Sequence, residues 1–99
     1  MKIKFITHVI QWRDKVNGNT YHSVSITRTD TGETIYVPFQ YGYGRQYEHT
    51  TLEKLFEVGW IPKEYINRLY YYERENDYPI KYIMHTGTKR ECIENGGAE

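Results

Sequence analysis

The chain has 99 residues, with 13 basic and 13 acidic side chains and no net formal charge at neutral pH. This length fits one domain with a single core. The balanced charge argues against a strongly cationic polymer binder and against an acidic mimic of nucleic acid. Tyrosine occurs 11 times and tryptophan twice. Because a buried aromatic ring removes about 150–250 Å² from water, we expect these rings to compensate for sparse aliphatic residues and to support a folded core.

Cysteine usage and hydropathy bear on the compartment. Cys92 is the lone cysteine, so an internal disulfide is excluded, which suits a reducing cytoplasm. The first six residues are too short and too interrupted for a signal peptide. No apolar run approaches the roughly 20 residues of a membrane span. We therefore expect a cytoplasmic protein with no membrane partner, in the host cytoplasm if it is encoded by a phage.

The first forty residues have the pattern of β-strands. Residues 3–13 are rich in β-branched and aromatic side chains on both faces, which predicts an interior strand. Asn17-Gly18 indicates a hairpin, because a type I′ turn needs positive φ at both central positions. A return strand over residues 21–29, a turn at Asp30-Thr31-Gly32 and an alternating segment over residues 35–39 complete an antiparallel meander, and Pro38 suggests a strand end or an edge.

Helical signals follow. Thr50 and Glu53 form the pattern of a capping box before a helix that Gly59 ends. Pro62 is suited to the first position of a second helix, and residues 80–85 predict a last strand. The predicted fold class is α+β, with elements in the order β-β-β-α-α-β, an antiparallel four-stranded sheet and two helices on one face. We expect one domain over residues 1–90 and a flexible C-terminal tail over residues 91–99.

Motifs for catalysis or metal binding are absent from the sequence. The four histidines and Cys92 do not match common zinc spacings; a zinc site built from distant histidines is the alternative to surface or edge-of-core histidines. Ser23 lacks a nucleophile elbow, and its neighbour His22 points to the opposite face of a strand. Gly42-x-Gly44 lacks the remaining residues of a phosphate-binding fingerprint. We therefore expect no enzymatic activity, no catalytic residue, no metal and no cofactor.

An aromatic loop is the strongest candidate site. Tyr41, Tyr43 and Tyr47 alternate with glycines and Arg45 in this segment. Tyrosine offers a large contact area at low entropic cost, and arginine is enriched at interface hot spots. These four side chains are the predicted partner-binding residues. The alternative interpretation is that the rings cover an open end of the core, and one loop can do both.

Two other functions remain open from the sequence. Exposed tyrosines can stack on bases when basic residues follow the phosphate backbone. The predicted contacts are Arg13, Lys15 and Arg28, chosen from a wider set of scattered basic residues that also contains Arg45, Arg68, Lys89 and Arg90. No known nucleic-acid-binding motif accompanies them. The third function is a structural protein that self-associates through an exposed edge strand. The oligomeric state is not specified by these patterns.

Two segments carry a resemblance, Gly18-Asn19-Thr20-Tyr21-His22-Ser23 and Pro38-Phe39-Gln40-Tyr41-Gly42-Tyr43-Gly44. With these, about half of the chain resembles small uncharacterised proteins of bacteriophage genomes. Small phage proteins, including anti-CRISPR proteins, often bind a host machine stoichiometrically. The resemblance therefore implies a non-enzymatic protein that binds a host protein or complex, as an anti-CRISPR or other inhibitor of host defence, and it carries over no catalytic residue.

Overall fold

The computed structural model describes residues 3–97, which form one four-stranded sheet with helices on both faces. The strands lie in the order β3-β2-β1-β4, so that β1 and β2 are interior and β3 and β4 are the edges. Their bounds are β1 (Phe5–Asp14), β2 (Asn19–Arg28), β3 (Thr34–Tyr41) and β4 (Ile80–Thr86). The helices are α1 (Gln46–Glu57), α2 (Leu69–Glu75) and α3 (Lys89–Asn95), with a short 3₁₀ helix at Lys63–Tyr65.

The predicted meander is present, but the last strand runs in the direction opposite to the one predicted. Strands β1, β2 and β3 pair antiparallel in sequence order. Strand β4 lies beside β1 and runs parallel to it, with Phe5 opposite Ile80 and Gln11 opposite Thr86. The sheet is therefore mixed: the predicted α+β class is confirmed, whereas the predicted antiparallel arrangement holds for β1, β2 and β3 but not for β4. The long helical connection between β3 and β4 makes the parallel arrangement accessible, since parallel strands need a crossover of a dozen or more residues.

The main core lies between one sheet face and the α1–α2 layer. Val9, Val24 and Ile26 project from the two interior strands, and Leu52 and Leu55 of α1 cover them. All five side chains are fully buried. Because side chains alternate across a strand, this single face collects the odd residues of β1 and the even residues of β2.

Both predicted helices differ from the structure at their beginnings. Helix α1 starts at Gln46, so Thr50 is not its cap but a buried residue in its second turn. Pro62 precedes only the 3₁₀ helix, and α2 starts later, at Leu69. Asn67 separates the two with a left-handed φ of 65°, a conformation that asparagine tolerates better than most residues. Tertiary contacts of Thr50, described below, explain why the local capping pattern failed.

A third helix, α3, covers the opposite sheet face. Ser23 projects to that face and its hydroxyl donates to the Cys92 carbonyl, while the Cys92 thiol donates to the Ile10 carbonyl. The Asn95 amide donates to the carbonyls of His8 and Ser23. The boundary predicted at residue 91 thus falls inside a helix, and residues 91–95 are part of α3. Residues 98 and 99 lie outside the described residues.

The hairpin between β1 and β2 has a longer turn than predicted. Asp14 pairs with Asn19, which leaves four loop residues, and Gly18 donates its N–H to the Asp14 carbonyl at 2.7 Å. Gly18 has a φ of 73°, but Asn17 is not among the described residues with positive φ, so the turn is not type I′. Within residues 3–97, no helix is long and apolar enough to cross a membrane.

Candidate binding surface

A buried histidine of β2 holds the loop that follows β3 in place. His22 lies fully buried in β2, with Nδ1 at 3.2 Å from the Gly42 carbonyl oxygen and Nε2 at 2.9 Å from Oγ1 of Thr50. A neutral ring with its proton on Nδ1 donates to the carbonyl and accepts from the hydroxyl, which satisfies both contacts. Burial lowers the pKa of His22, and the hydrogen bond with Gly42 only partly opposes this effect. The histidine therefore joins the loop to α1 as an uncharged group.

Five aromatic side chains form a continuous row on the sheet face that α3 partly covers. Trp12 and Tyr21, opposite each other on β1 and β2, stack with centroids 5.5 Å apart. Tyr21 stacks on Phe39 at 4.8 Å, and its edge meets Tyr41 at 5.9 Å. Tyr41 then contacts Tyr43 at 6.4 Å. We call these five residues the ring row.

Exposure increases along the ring row. Trp12, Tyr21 and Phe39 are half-buried, whereas Tyr41 is 58% and Tyr43 is 69% exposed. Each ring is supported by its neighbour, so the two outer tyrosines are held by other rings and lose little conformational freedom on contact with a partner. The result is a pre-organised apolar surface with phenolic hydroxyl groups at its outer end.

Two basic residues, Lys89 and Arg45, lie beside the ring row. The Lys89 ammonium lies 5.5 Å from the Trp12 ring centroid, close enough for a cation–π contact. Arg45 is exposed, but its guanidinium bonds to the Glu48 carboxylate at 2.6 and 2.7 Å. Gln11 donates to the Gly44 carbonyl at 2.9 Å and holds the loop against β1. An open depression of about 530 Å³ lies along residues 41–46.

The structure brings three of the four predicted partner-binding residues together, at the end of β3 and on the loop that follows it. Tyr41, Tyr43 and Arg45 line the same depression. Tyr47 lies elsewhere, in the first turn of α1, where its half-buried ring meets Tyr82 at 5.7 Å among residues packed against the main core. Tyr47 is therefore separated from the other three predicted residues, because it lies in α1 and its side chain packs on the sheet face that α1 and α2 cover.

The three predicted nucleic-acid contacts do not come together. Arg13 and Lys15 lie at or beside the β1–β2 turn, while Arg28 lies at the opposite end of β2, opposite Phe5. The eight residue-to-residue steps along β1 from position 5 to position 13 correspond to about 26 Å, so Arg28 lies about that far from Arg13. Arg28 is also engaged by Asp30 at 3.0 Å and lies 4.8 Å from the Trp60 ring centroid.

Sequence reasoning missed Trp12, Tyr21 and Phe39 as parts of this surface, and it named Lys89 only among several scattered basic residues. Strand alternation showed which residues share a face with Trp12, but the residue that lies opposite Trp12 on β2 depends on the register of the hairpin. Lys89 was expected before a flexible tail and instead opens α3. Across residues 3–97, no group of three or more His, Cys, Asp or Glu side chains is arranged to hold a metal ion.

No protein-family model, curated protein or solved structure matches this chain.

Proposed function

We propose that this protein is a non-enzymatic binding protein that contacts another protein through the ring row and the adjacent edge of β3. The observation that carries the proposal is the run of five mutually supported rings whose two outer tyrosines are more than half exposed. Rigid aromatic side chains with polar tips are enriched in protein-binding surfaces, and clustered exposed apolar groups mark such surfaces.

The form of the β3 edge favours side-chain contacts over a continuous added strand. β3 is an edge strand, but Pro38 lacks a backbone N–H, and the β2–β3 pairing is irregular between His22 and Val24. Both features limit the addition of a further strand. A partner would therefore contact the exposed rings mainly through its own side chains.

The charge of the surface bears on the class of partner. Arg45 is paired with Glu48, and Lys89 with the Trp12 ring. The resemblance of two segments to phage proteins makes a bacterial host protein, including a component of a CRISPR or other defence system, the first partner to test. The balanced charge of the chain favours occlusion of a protein surface over imitation of a phosphate backbone.

The test compares two pairs of exposed tyrosines. Tagged wild-type protein is used as bait in bacterial lysate treated with nuclease, and the affinity of the purified partner is then measured by calorimetry. The variant Y41A/Y43A should weaken binding at least about tenfold, which corresponds to about 1.4 kcal/mol. The matched control Y70A/Y71A changes tyrosines that are 55% and 48% exposed and should bind like wild type. Unchanged affinity in a folded Y41A/Y43A variant would overturn the site.

Nucleic-acid binding is the second candidate, favoured by the position of Lys89 beside the ring row. Base stacking on the outer tyrosines would contribute about 1–3 kcal/mol per base. The nucleic-acid hypothesis predicts that no partner is recovered after nuclease treatment and that binding to single-stranded probes weakens steeply as the salt concentration rises. A concentration-dependent dimer in sedimentation, with no foreign ligand, would instead favour self-association through a strand edge.

A further inference from the structure

A large open groove lies on the α1–α2 layer, away from the ring row. This groove of about 560 Å³ runs between α1 and the segment that leads into α2. Phe56 and Leu69, both partly buried against the main core, contribute apolar side chains to it. Asn67, which has a left-handed φ, also lines the groove. This volume falls in the range of about 300–1,000 Å³ typical of small-molecule sites.

Apolar and aromatic groups are exposed in this groove. Ile66 is 58% and Tyr70 is 55% exposed, although neither contributes to the aromatic surface described above. Tyr70 is stacked on His49, with centroids 6.2 Å apart and planes inclined by 28°. Tyr71 continues the exposed surface and also lines a smaller adjoining depression of about 260 Å³. An aromatic ring of a ligand can extend the His49–Tyr70 stack and cover Ile66.

The charges in the groove favour a cation. Glu53 and Glu57 lie one helical turn apart on α1 and both line the groove. Each is engaged through one oxygen: Glu53 Oε1 lies 3.4 Å from His49 Nε2, and Glu57 Oε1 lies 3.3 Å from Lys54 Nζ. Because the two carboxylate side chains are 61% and 70% exposed, these surface contacts are weak and can be exchanged for a ligand ammonium group. The one guanidinium in the lining, that of Arg68, already lies over the rings of Tyr65 and Tyr71, and its Nε donates to the Glu64 carbonyl. Tyrosine faces attract cations as well.

We propose that this groove is a binding site for a small aromatic amine, with the aromatic ring against His49, Tyr70 and Ile66 and the ammonium group beside Glu53 and Glu57. The site shares no residue with the ring row. The inference therefore goes beyond the proposed function and does not depend on it.

The experiment is an NMR titration of the isotopically labelled protein with 2-phenylethylamine, and with 3-phenylpropionate as the anionic counterpart of similar size. The amine should shift backbone amides of residues 49–57 and 66–71 with a dissociation constant of about 1 mM, the range expected for so small a ligand. The carboxylate should bind at least about threefold more weakly, because it meets two carboxylates instead of complementing them.

Variants locate the two parts of the ligand. E53Q/E57Q should weaken amine binding about three- to tenfold and reduce the preference over the carboxylate. Y70A should weaken binding of both compounds, while Y43A, on the ring row, should change neither. Equal binding of the amine and the carboxylate, shifts centred on other residues, or no saturable shift with the amine would overturn the proposal. All three readouts are independent of any partner of the ring row.

Discussion

The imidazole ring of His22 lies directly against the backbone of Gly42. A Cβ atom at position 42 would lie 2.6 Å from His22 Cε1 and 2.9 Å from its Nδ1. Such distances require displacement of a fully buried ring that also contacts Thr50. Glycine is therefore needed here for close approach, and this contact determines how the loop with Tyr41 and Tyr43 joins the sheet.

We predict that G42A lowers the free energy of unfolding by about 2–3 kcal/mol, the upper part of the range for overpacking a well-packed interior. Chemical denaturation measures this change. The control G44A places a Cβ in open space, although at a φ of 62°, and should cost only about 1 kcal/mol. In a double-mutant cycle with H22A, the G42A penalty should shrink; strictly additive effects would contradict the proposed contact.

His22 should also make stability depend on pH. Its pKa is lowered in the folded protein, chiefly by burial, so the unfolded chain binds a proton more readily than the folded chain. The free energy of unfolding should therefore fall as pH decreases below about 6.5, with a slope of at most about 1.4 kcal/mol per pH unit from this group. Histidine NMR should show that the His22 ring becomes protonated at a lower pH than an ordinary histidine, and H22Q should lose this component of the pH dependence.

Glu73 has the opposite linkage. Burial is the largest cause that raises its pKa, and the hydrogen bond from the Tyr82 hydroxyl at 2.9 Å only partly opposes it. Because its folded pKa exceeds the unfolded value, this group favours the folded state more as pH falls through the folded pKa. E73Q should raise the free energy of unfolding at pH 7 by up to about 1 kcal/mol after allowance for solvent screening. The gain should disappear near pH 4, and a gain independent of pH would exclude this explanation.

Tyr82 provides a separate test of the same contact. Y82F removes the donor to Glu73 and leaves a partly buried carboxylate without that hydrogen bond. We expect a loss of about 1–2 kcal/mol at pH 7 and a further rise in the Glu73 pKa. Denaturation curves and a carboxyl-carbon NMR titration measure the two effects. In the E73Q background, Y82F should cost less, because a neutral amide is less expensive to leave without a donor.

Helix α3 should contribute to stability despite its position near the end of the chain. Thr88 caps it by accepting from the Glu91 N–H at 3.1 Å, and the Glu91 carboxylate accepts from the Thr88 N–H at 2.8 Å. T88A should cost about 1 kcal/mol, and N95A also about 1 kcal/mol, because it removes the amide hydrogen bonds to the His8 and Ser23 carbonyls. Hydrogen exchange should show protected amides in α3, whereas rapid exchange throughout residues 92–96 would support a flexible tail.

Local patterns predicted most of the secondary structure because they act over a few residues. Alternation, Gly18 and Gly32 were sufficient for the three-stranded meander, and the spacing of Leu52 and Leu55 indicated the buried face of α1. The beginning of α1 was mispredicted because the Thr50 hydroxyl group does not cap the helix. It donates a hydrogen bond to Nε2 of His22, a residue 28 positions earlier. A capping pattern carries no information about such a distant partner.

The candidate surface was predicted only in part for a related reason. A two-residue turn at Asn17-Gly18 would place Trp12 opposite Ser23, whereas the four-residue loop places it opposite Tyr21. Both registers put Trp12 on the same face, since the difference is two residues. Only the observed register joins its ring to Tyr21 and, through Phe39, to the exposed tyrosines.

The sequence by itself determined the α+β class, the antiparallel meander and the chemical character of the loop that carries Tyr41 and Tyr43, because residue preferences and side-chain periodicity are local properties. Only the tertiary structure decided that β4 runs parallel to β1, that α3 covers the second sheet face, and that Tyr47 points away from the other tyrosines. Those outcomes depend on contacts between distant segments, such as Ser23 with Cys92 and Tyr47 with Tyr82. The fold must bury all its apolar faces and give every buried polar group a hydrogen-bond partner at the same time, and no short segment carries enough information to show how this is achieved.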